Sequence, residues 1–363
     1  MDLPLQPSVR PVVSIVVPAR NEEACLGLCL QSLTTQTGVS FEIIVVDDGS
    51  TDRTREIAES FSGVHVVDPL PLPPNWTGKN HAMAAGAAVS QGDWLLFTDA
   101  DTVHKPGSLA RAVAEAQRQG VSLLSYSPEQ EVHGFWEKAV MPVIFAELAT
   151  AYPSQAVNDP ASPAAAANGQ YILISQEAYD AVGGYATLAA SLLEDVALAR
   201  TVKASGRKIL FRYGADAVRT RMYRNFVQLR EGWTKNLVLL FPSSLKLGLL
   251  RSVEFGLIVG GIAAGGILAI RGEVVLAAFT AAIALLLYIQ FLVRIRKAHF
   301  AWGANALSLF GLPLFSYLLL SSWHRYRSGN VVWKGRTYDL SLNHVGTDAH
   351  GCPPEHGSAT SYS

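Results

Sequence analysis

The last third of the chain constrains the fold most, because residues 236–323 are mostly apolar. Within this block, residues 253–270 and 274–293 form two largely apolar runs separated by a short polar link. At ~1.5 Å per helical residue, each run can cross a hydrocarbon core of ~30 Å, the first only barely. A hairpin buried inside a soluble protein is the alternative. The block therefore predicts two membrane-spanning helices.

Basic residues predict the orientation of these helices. Arg294, Arg296 and Lys297 follow the second run, and basic loops stay on the cytosolic side of a membrane. A third run, residues 304–323, contains Pro313. If it crosses, the basic tail beyond it lies outside the cell, against the charge rule. If Pro313 bends it into a shallow or re-entrant path, the tail stays cytosolic. Both interpretations remain open.

The first two thirds of the chain show the alternation of an α/β protein. Short apolar, β-branched runs at 12–17, 41–46 and 94–98 are typical of buried parallel strands. Segments of helical character separate them, which predicts a Rossmann-like, mostly parallel sheet with helices on both faces. In such sheets ligands bind at the carboxyl ends of the strands.

Two helices are predicted with particular features. The segment 21–36 is predicted as a helix with Asn21 as its N-cap. The segment 134–152 is an apolar helix with several aromatic residues, and it either covers the core or lies on the membrane surface.

Two protein classes are disfavoured by the sequence. The net charge of -1 provides no basic excess to neutralise phosphates, which argues against a general nucleic-acid binder. The string PARNEE occupies the place after the first strand where a dinucleotide-dependent oxidoreductase has its glycine-rich fingerprint.

Acidic residues stand where the sheet should bind ligands. One such pair is equally well explained as a solvated turn or helix cap, but two clusters ending two strands of one sheet are not. Crowded carboxylates resist ionisation and are expected to hold a cation. Their hard oxygens favour Mg²⁺ or Mn²⁺, which usually also binds substrate phosphates, so a nucleotide diphosphate is the expected substrate. The acidic pairs are Asp47 and Asp48, Asp99 and Asp101, and Glu194 and Asp195.

Four strings in register resemble the family 2 glycosyltransferases with a GT-A fold. They are SIVVPARNEE, EIIVVDDGSTDRT, FTDAD and LLEDVALAR, and the resemblance covers about residues 12–236. The strings PPNWTGKNHAMAAGA, EGWTKNL and VVWKGRTY look like the bacterial membrane-bound branch that glycosylates carotenoids and hopanoids, such as the hydroxychlorobactene glucosyltransferases. The resemblance implies a GT-A catalytic domain followed by C-terminal transmembrane helices.

The resemblance also implies how the nucleotide-sugar donor is held. Asp48 would accept a hydrogen bond from the base, and Asp99 is similar to the first aspartate of the DxD motif, near the ribose and sugar. Asp101 is similar to the second aspartate, the direct metal ligand. Lys79, beside a helix start, contacts the diphosphate or the sugar, or is a solvated first-turn lysine. Three residues would line the nucleotide edge: Pro18, Ala19 and Glu22.

A second set of residues is implied for catalysis. Asp195 resembles the general base of the ED motif, with Glu194 as its neighbour, and a weak hydroxyl nucleophile needs such a base. The QxxRW motif of processive synthases is absent, which favours one transfer per acceptor. Trp233 stacks on the acceptor or is a membrane-belt residue.

The basic tail has two interpretations. If it is cytosolic, three of its residues close over the diphosphate; otherwise they form a juxtamembrane anchor. These residues are Trp333, Lys334 and Arg336.

The domain organisation predicted from these features has four parts. Residues 1–11 form a tail, 12–236 the catalytic domain, 237–323 the membrane region, and 324–363 a basic and then disordered tail. The N-terminus has no apolar signal region, so the catalytic domain is expected in the cytosol and the protein in the inner (cytoplasmic) membrane as a multi-pass protein.

The predicted function is an inverting, metal-dependent transfer of one sugar from a nucleotide-sugar, with UDP preferred, to a hydroxyl of a lipid acceptor. The main rival is a polyprenyl-phosphate sugar transferase, whose acceptor oxyanion needs no strong base. A non-catalytic membrane scaffold is more remote.

Overall fold

The computed structural model describes residues 10–328 and the backbone of residues 331–333 and 336–338. The strands are β1 (Val13–Ala19), β2 (Phe41–Asp47), β3 (Val64–Val67), β4 (Trp94–Phe97), β5 (Thr102–His104), β6 (Leu123–Ser127), β7 (Glu129–Gln130), β8 (Ile172–Ser175), β9 (Ile209–Tyr213), β10 (Val218–Thr220), β11 (Val331–Trp333) and β12 (Arg336–Tyr338). The helices are α1 (Leu26–Thr34), α2 (Thr54–Glu59), α3 (Gly78–Val89), α4 (Ser108–Gln119), α5 (Phe135–Ala151), α6 (Ser154–Asn158), α7 (Gln176–Ala181), α8 (Glu194–Ala204), α9 (Phe226–Leu240), α10 (Ser244–Ile270), α11 (Val274–Ile295), α12 (Trp302–Leu307) and α13 (Gly311–Arg327).

Seven strands form the central sheet, in the order β3-β2-β1-β4-β8-β6-β9. All neighbours are parallel except at β8, which is antiparallel to both β4 and β6. The mostly parallel sheet predicted from the sequence is confirmed. A small second sheet, β5-β10-β7, lies beside the carboxyl end of β4.

The core lies on both faces of this sheet. Side chains alternate between the faces of a strand, so Ile15 and Val17 of β1 pack in a cluster with Leu26 of α1, and Val16 packs in another with Met83 of α3. Each fully buried side chain of this size stabilises the fold by about 1.5–3 kcal/mol. Burial on both faces explains why the strand is a continuous apolar run.

The predicted helix start at Asn21 is wrong, because α1 begins at Leu26. Asn21 has a positive φ of 53°, and its Oδ1 accepts a hydrogen bond of 2.8 Å from the Thr51 amide. Its side chain therefore joins the loops after β1 and β2 instead of capping a helix. This bridge brings the ends of the two strands together at one edge of the sheet.

Helices α10 and α11 form an antiparallel hairpin with apolar side chains facing outward, as in Leu257 and Phe279. Gly261 and Gly265 face α11, whereas Gly260 and Gly266 have open space beside them. Three helical segments of the described chain are long and apolar enough to cross a membrane: Ser244–Ile270, Val274–Ala298 and Trp302–Arg327.

The third segment differs from the other two. It is broken by a 3₁₀ turn between α12 and α13, and half of its most apolar stretch is buried inside the protein. Gly311 lets α13 approach α5, since a Cβ at Gly311 would overlap the Ala139 carbonyl oxygen. Strand β11 of the tail lies beside α9 of the preceding domain. This strand of the tail therefore lies next to the sheet domain.

Helix α5 joins the sheet domain to the hairpin, which neither interpretation of segment 134–152 anticipated. Its apolar side chains form one buried cluster with α9, α11 and α13. Its Glu147 pairs with Arg251 of α10 at 2.9 Å and with Arg294 of α11 at 3.2 Å. Glu254 completes the group by pairing with both arginines. We call these four side chains the hairpin-root cluster.

Candidate active site

One large cavity of about 1070 Å³ opens at the carboxyl ends of the central strands. Binding sites for small molecules usually measure about 300–1,000 Å³, so this cavity has room for more than one ligand. Every predicted site residue whose side chain the structure describes lines it. These residues are Pro18, Ala19, Glu22, Asp48, Lys79, Asp99, Asp101, Glu194, Asp195 and Trp233.

The tail residues predicted to close the site cannot be placed in the same way. Trp333 and Arg336 belong to β11 and β12, for which only the backbone is described, and Lys334 lies outside the described residues. Their contact with the diphosphate stays a prediction.

Lys79 links two of the acidic groups predicted from the sequence. Its Nζ lies 2.8 Å from Asp99 Oδ1 and 2.9 Å from Glu194 Oε1. Burial by itself would lower the pKa of Lys79, but the charges of Asp99 and Glu194 raise the pKa well above its usual value. Lys79 is therefore a permanent cation at the centre of the carboxylates, and the alternative of a merely solvated lysine does not describe it.

The first turn of α3 holds Lys79 in this position. The Thr77 side chain caps the helix by accepting a 3.2 Å hydrogen bond from the Asn80 amide. Asn80 is fully buried, and its Nδ2 donates to the Leu188 carbonyl oxygen at 2.7 Å. The segment around Leu188 leads directly into α8, so this bond fixes the distance between Lys79 and the acidic start of α8.

Asp195 lies in the first turn of α8, beside Glu194. Its Oδ2 accepts a 2.9 Å hydrogen bond from the Gly169 amide, and its Oδ1 accepts one of 2.8 Å from the Val196 amide. Burial and the adjacent charge of Glu194 raise the pKa of Asp195 to about 6. A carboxylate with this pKa remains ionised near neutral pH and accepts protons better than an ordinary aspartate.

Glu194 has the opposite electrostatic environment. Burial tends to raise its pKa, but the charges of Lys79 and Lys235 hold the pKa of this carboxyl below its usual value. The two neighbouring carboxylates thus differ in their surroundings: Glu194 is paired with a lysine, whereas Asp195 is the better proton acceptor.

The loops after β1 and β2 form another wall. Asp48 Oδ2 lies 3.7 Å from Arg20 Nη1, and the Asp48 amide donates to the Ala19 carbonyl oxygen at 2.9 Å. The Glu22 amide donates to Thr54 Oγ1 at 2.7 Å. These bonds hold the two loops against each other, with Pro18 and Ala19 at the edge of the cavity.

The two carboxylates that follow β4 suit a hard cation that is bound jointly by the protein and a substrate. Asp99 is paired with Lys79, and Asp101 presents a second carboxylate to the same cavity. Among the described residues, no group of three or more His, Cys, Asp or Glu side chains forms a preformed metal cage. Mg²⁺ is commonly bound by one or two carboxylates together with substrate phosphates and water, and two aspartates suit this arrangement.

Sequence reasoning missed several residues of the cavity. Lys235 lines it from α9, inside the string EGWTKNL, and burial lowers its pKa. Gly169 lies so close to the charged groups that a Cβ would be 3.1 Å from Lys79 Nζ. Arg221 and Arg224 line the cavity from the segment before α9. The string EGWTKNL was the signal for Lys235; nothing in the sequence pattern pointed to Gly169.

Trp233 lies in the wall of the cavity but is only 3% exposed. Its Nε1 points to Met141 Sδ at 3.2 Å, and its ring contacts the edge of Phe145. Trp233 is thus a packing residue of the α5–α9 contact as the structure stands, and stacking on an acceptor stays a prediction.

Part of the chain matches a known protein family. Residues 14–176 match the family described as Glycosyl transferase family 2. The match runs from β1 to the start of α7. It includes the site residues that follow β1, β2 and β4, whereas Asp195 lies beyond it.

Two known proteins are similar over most of the chain. The 4,4'-diaponeurosporenoate glycosyltransferase of Staphylococcus aureus (strain USA300) is 29% identical over 346 residues, which cover 91% of this chain and 88% of the relative. A mannosyltransferase from Pyrobaculum calidifontis, solved in complex with GDP-Man and Mn²⁺, has a TM-score of 0.53 and 18% identity, covering 88% of this chain and 87% of that one. The second likeness bears on the fold, which is of the GT-A type.

Proposed function

We propose that this membrane-associated glycosyltransferase, which carries a glycosyltransferase family 2 domain, transfers a single sugar from a nucleotide-sugar to a hydroxyl of a membrane lipid. We propose further that the reaction inverts the anomeric carbon, needs Mg²⁺ or Mn²⁺, and occurs at the cytosolic face of the inner membrane. The observation that supports this proposal best is the meeting of Asp48, Asp101 and Asp195 in one cavity. They come from three distant stretches of the chain.

The donor would lie along the ends of β1, β2 and β4. Asp48 stands at the nucleotide end, where a carboxylate accepts hydrogen bonds from a base N–H. Asp99, held by Lys79, is available to the hydroxyls of the ribose and sugar. Bound at Asp101, a divalent ion would neutralise charge that develops on the departing diphosphate.

The acceptor would meet the donor beside Asp195. A hydroxyl becomes a good nucleophile only when a base removes its proton as it attacks. Asp195 has a pKa near 6, and two backbone amides fix its orientation. One base on one side of the sugar suits a direct displacement, which inverts the configuration. Lys79 would hold Glu194 away from this proton transfer.

A lipid acceptor is supported by the attachment of the domain to a membrane. The carboxyl ends of the strands and the apolar hairpin are joined through α5 and α9, so an interfacial substrate can reach the cavity without leaving the bilayer surface. Lys297 lines the same cavity just after α11. Basic residues at this place suit a cytosolic location.

An anionic lipid is the second candidate acceptor. The Staphylococcus aureus relative is named for 4,4'-diaponeurosporenoate, a carboxylate by its name, and a polyprenyl phosphate would react in the same way. Such oxyanions are already nucleophilic and need no general base. Lys235, half-buried near the acidic start of α8, would then balance the charge of the acceptor.

The donor half of the proposal is tested with the full chain in detergent. UDP-glucose and GDP-mannose hydrolysis is measured with Mn²⁺ and with EDTA, and Mn²⁺-dependent nucleotide binding is measured by calorimetry. We expect metal-dependent hydrolysis of at least one donor, and loss of metal-dependent binding in Asp101→Asn. Hydrolysis that is equal with EDTA would contradict metal dependence, and no nucleotide binding would contradict a donor site.

The acceptor half is tested with Asp195→Asn. Lipid extracts from cells with and without the protein are compared by mass spectrometry, where one added hexose identifies the acceptor. Transfer to that acceptor should fall about 10²–10⁴-fold in Asp195→Asn if it is a hydroxyl. A loss of less than about tenfold indicates an anionic acceptor instead, because the base is then not needed.

A further inference from the structure

The wall of the cavity has two chemically different parts. One part consists of the carboxylates described above. The other part consists of Phe145, Leu148 and Tyr152 of α5 and of Leu240 of α9. The Tyr152 hydroxyl donates to the Leu240 carbonyl oxygen at 3.1 Å, so the most polar atom of this wall is already occupied. We call the space bounded by these four residues the apolar arm.

The apolar arm lies at the base of the membrane hairpin. Phe145 contacts Phe300, which follows α11, with ring centroids 5.8 Å apart. Glu147, two residues further along α5, pairs with Arg251 and Arg294 of the hairpin-root cluster. The same turn of α5 therefore lines the arm on one side and anchors the hairpin on the other.

Another part of the cavity wall comes from the segment that follows the hairpin. Ala298 and His299, directly after α11, line the cavity. His299 stacks on Tyr213 at the end of β9, with ring centroids 4.3 Å apart and planes 11° apart. This contact ties the end of α11 to the edge of the sheet, so the cavity is lined jointly by the sheet domain and the segment after the hairpin.

We propose that the apolar arm binds the hydrocarbon chain of the lipid acceptor while its reactive group lies at Asp195. This inference rests on the proposed function. A sugar or other water-soluble acceptor would leave its polar groups unpaired against the walls of the arm, which costs free energy. A hydrocarbon chain instead replaces water there, and each buried CH₂ contributes about 0.8 kcal/mol. The chain would enter from the bilayer surface next to α11.

Photolabelling tests the arm without relying on activity. The full chain is placed in phosphatidylglycerol vesicles with hexadecanol that carries a diazirine, and labelled peptides are mapped by mass spectrometry after irradiation. We expect label on Leu148 and Leu240 as well as on the outer face of the hairpin. Label on the hairpin alone would overturn the inference.

Substitutions at two neighbouring residues of α5 test whether labelling of Leu240 depends on open space in the arm. Ala149 lines the cavity, and Ala149→Trp should fill the arm and abolish label on Leu240 while hairpin labelling continues. Thr150 is exposed and outside the cavity, so Thr150→Trp on the same helix should label like the wild type. If Ala149→Trp does not fold, Leu148→Gln makes the wall polar and should weaken arm labelling in the same way. Equal arm labelling in all variants would contradict the proposal.

Donor hydrolysis by the wild-type protein separates the two ideas. Hydrolysis without arm labelling would overturn the acceptor arm and leave the proposed function standing. Arm labelling without donor binding or hydrolysis would overturn the proposed function and leave a lipid-chain site.

Discussion

Two groups of charged side chains in this protein differ in burial and in the balance of positive and negative charge. The hairpin-root cluster contains two carboxylates and two arginines, namely Glu147, Glu254, Arg251 and Arg294. It is closed off between α5, α10 and α11, and all its charges are paired.

The group at the active site is open and uneven. Asp99, Glu194 and Asp195 surround Lys79, and all four line the cavity. Burial and the neighbouring charge of Glu194 raise the pKa of Asp195, and the excess of carboxylates gives an incoming cation or acceptor proton a place to bind. The comparison teaches that a balanced, enclosed cluster suits a packing contact between domains. Excess carboxylates that face a cavity are instead available to bind a cation or accept a proton.

The largest effect is expected from breaking the balanced cluster. Glu147→Gln leaves Arg251 and Arg294 to share one remaining carboxylate, and removing one partner of a buried ion pair costs about 3–5 kcal/mol. Thermal unfolding in detergent measures the loss of stability. Glu59, an exposed residue paired with Arg55 at 2.8 Å, provides the control, because Glu59→Gln should cost less than about 1 kcal/mol. Equal effects in both variants would contradict the structural importance of the cluster.

A smaller loss of stability is expected from a larger side chain in the contact between α10 and α11. A Cβ at Gly261 would be 2.9 Å from Ala284 Cβ, whereas one at Gly260 would have no neighbour within 4 Å. Gly261→Leu should therefore destabilise the protein by about 1–3 kcal/mol through overpacking. Gly260→Leu, one position away, should leave the unfolding temperature nearly unchanged. The reverse order would mean that the hairpin packs through its other face.

The ionisation of Asp195 should determine how the rate of sugar transfer depends on pH. Because burial and Glu194 raise the pKa of Asp195 to about 6, the carboxyl takes up its proton at a higher pH than an ordinary aspartate. The kcat/KM for a hydroxyl acceptor should thus be constant above the pKa and fall about tenfold per pH unit below it. Asp195→Asn should lose this inflection. A flat wild-type profile would indicate an anionic acceptor.

The smallest effect is expected from crowding the active-site charges. In Gly169→Ala the new methyl group would lie 3.1 Å from Lys79 Nζ and 3.5 Å from Asp195 Oδ2. Small displacements of reacting groups are costly, so transfer should fall by about threefold to tenfold. Gly27→Ala on α1, whose Cβ would lie at an ordinary 3.8 Å from Ile57, should leave transfer unchanged. A Gly169→Ala enzyme as active as wild type would show that the charges move freely.

Much of the fold was predictable because burial on both faces leaves continuous apolar runs in the sequence. The strands at Val13–Ala19, Phe41–Asp47 and Trp94–Phe97 lie close to the predicted ones, and the hairpin runs follow from length and apolarity. The start of α1 was not predictable, because Asn21 is as suited to a loop bridge as to a helix cap. Its partner Thr51 is thirty positions away in the chain.

The sequence by itself determined that acidic residues follow two apolar strands and that an apolar block comes later in the chain, because both are local patterns. Only the tertiary structure decided which charges meet. Lys79 and Glu194 are distant in sequence, yet their charged atoms lie 2.9 Å apart, and Gly169 lies close beside both because it has no side chain. The joining of sheet and hairpin through Glu147 was likewise decided by packing, since a lone glutamate in an apolar helix does not reveal its partners.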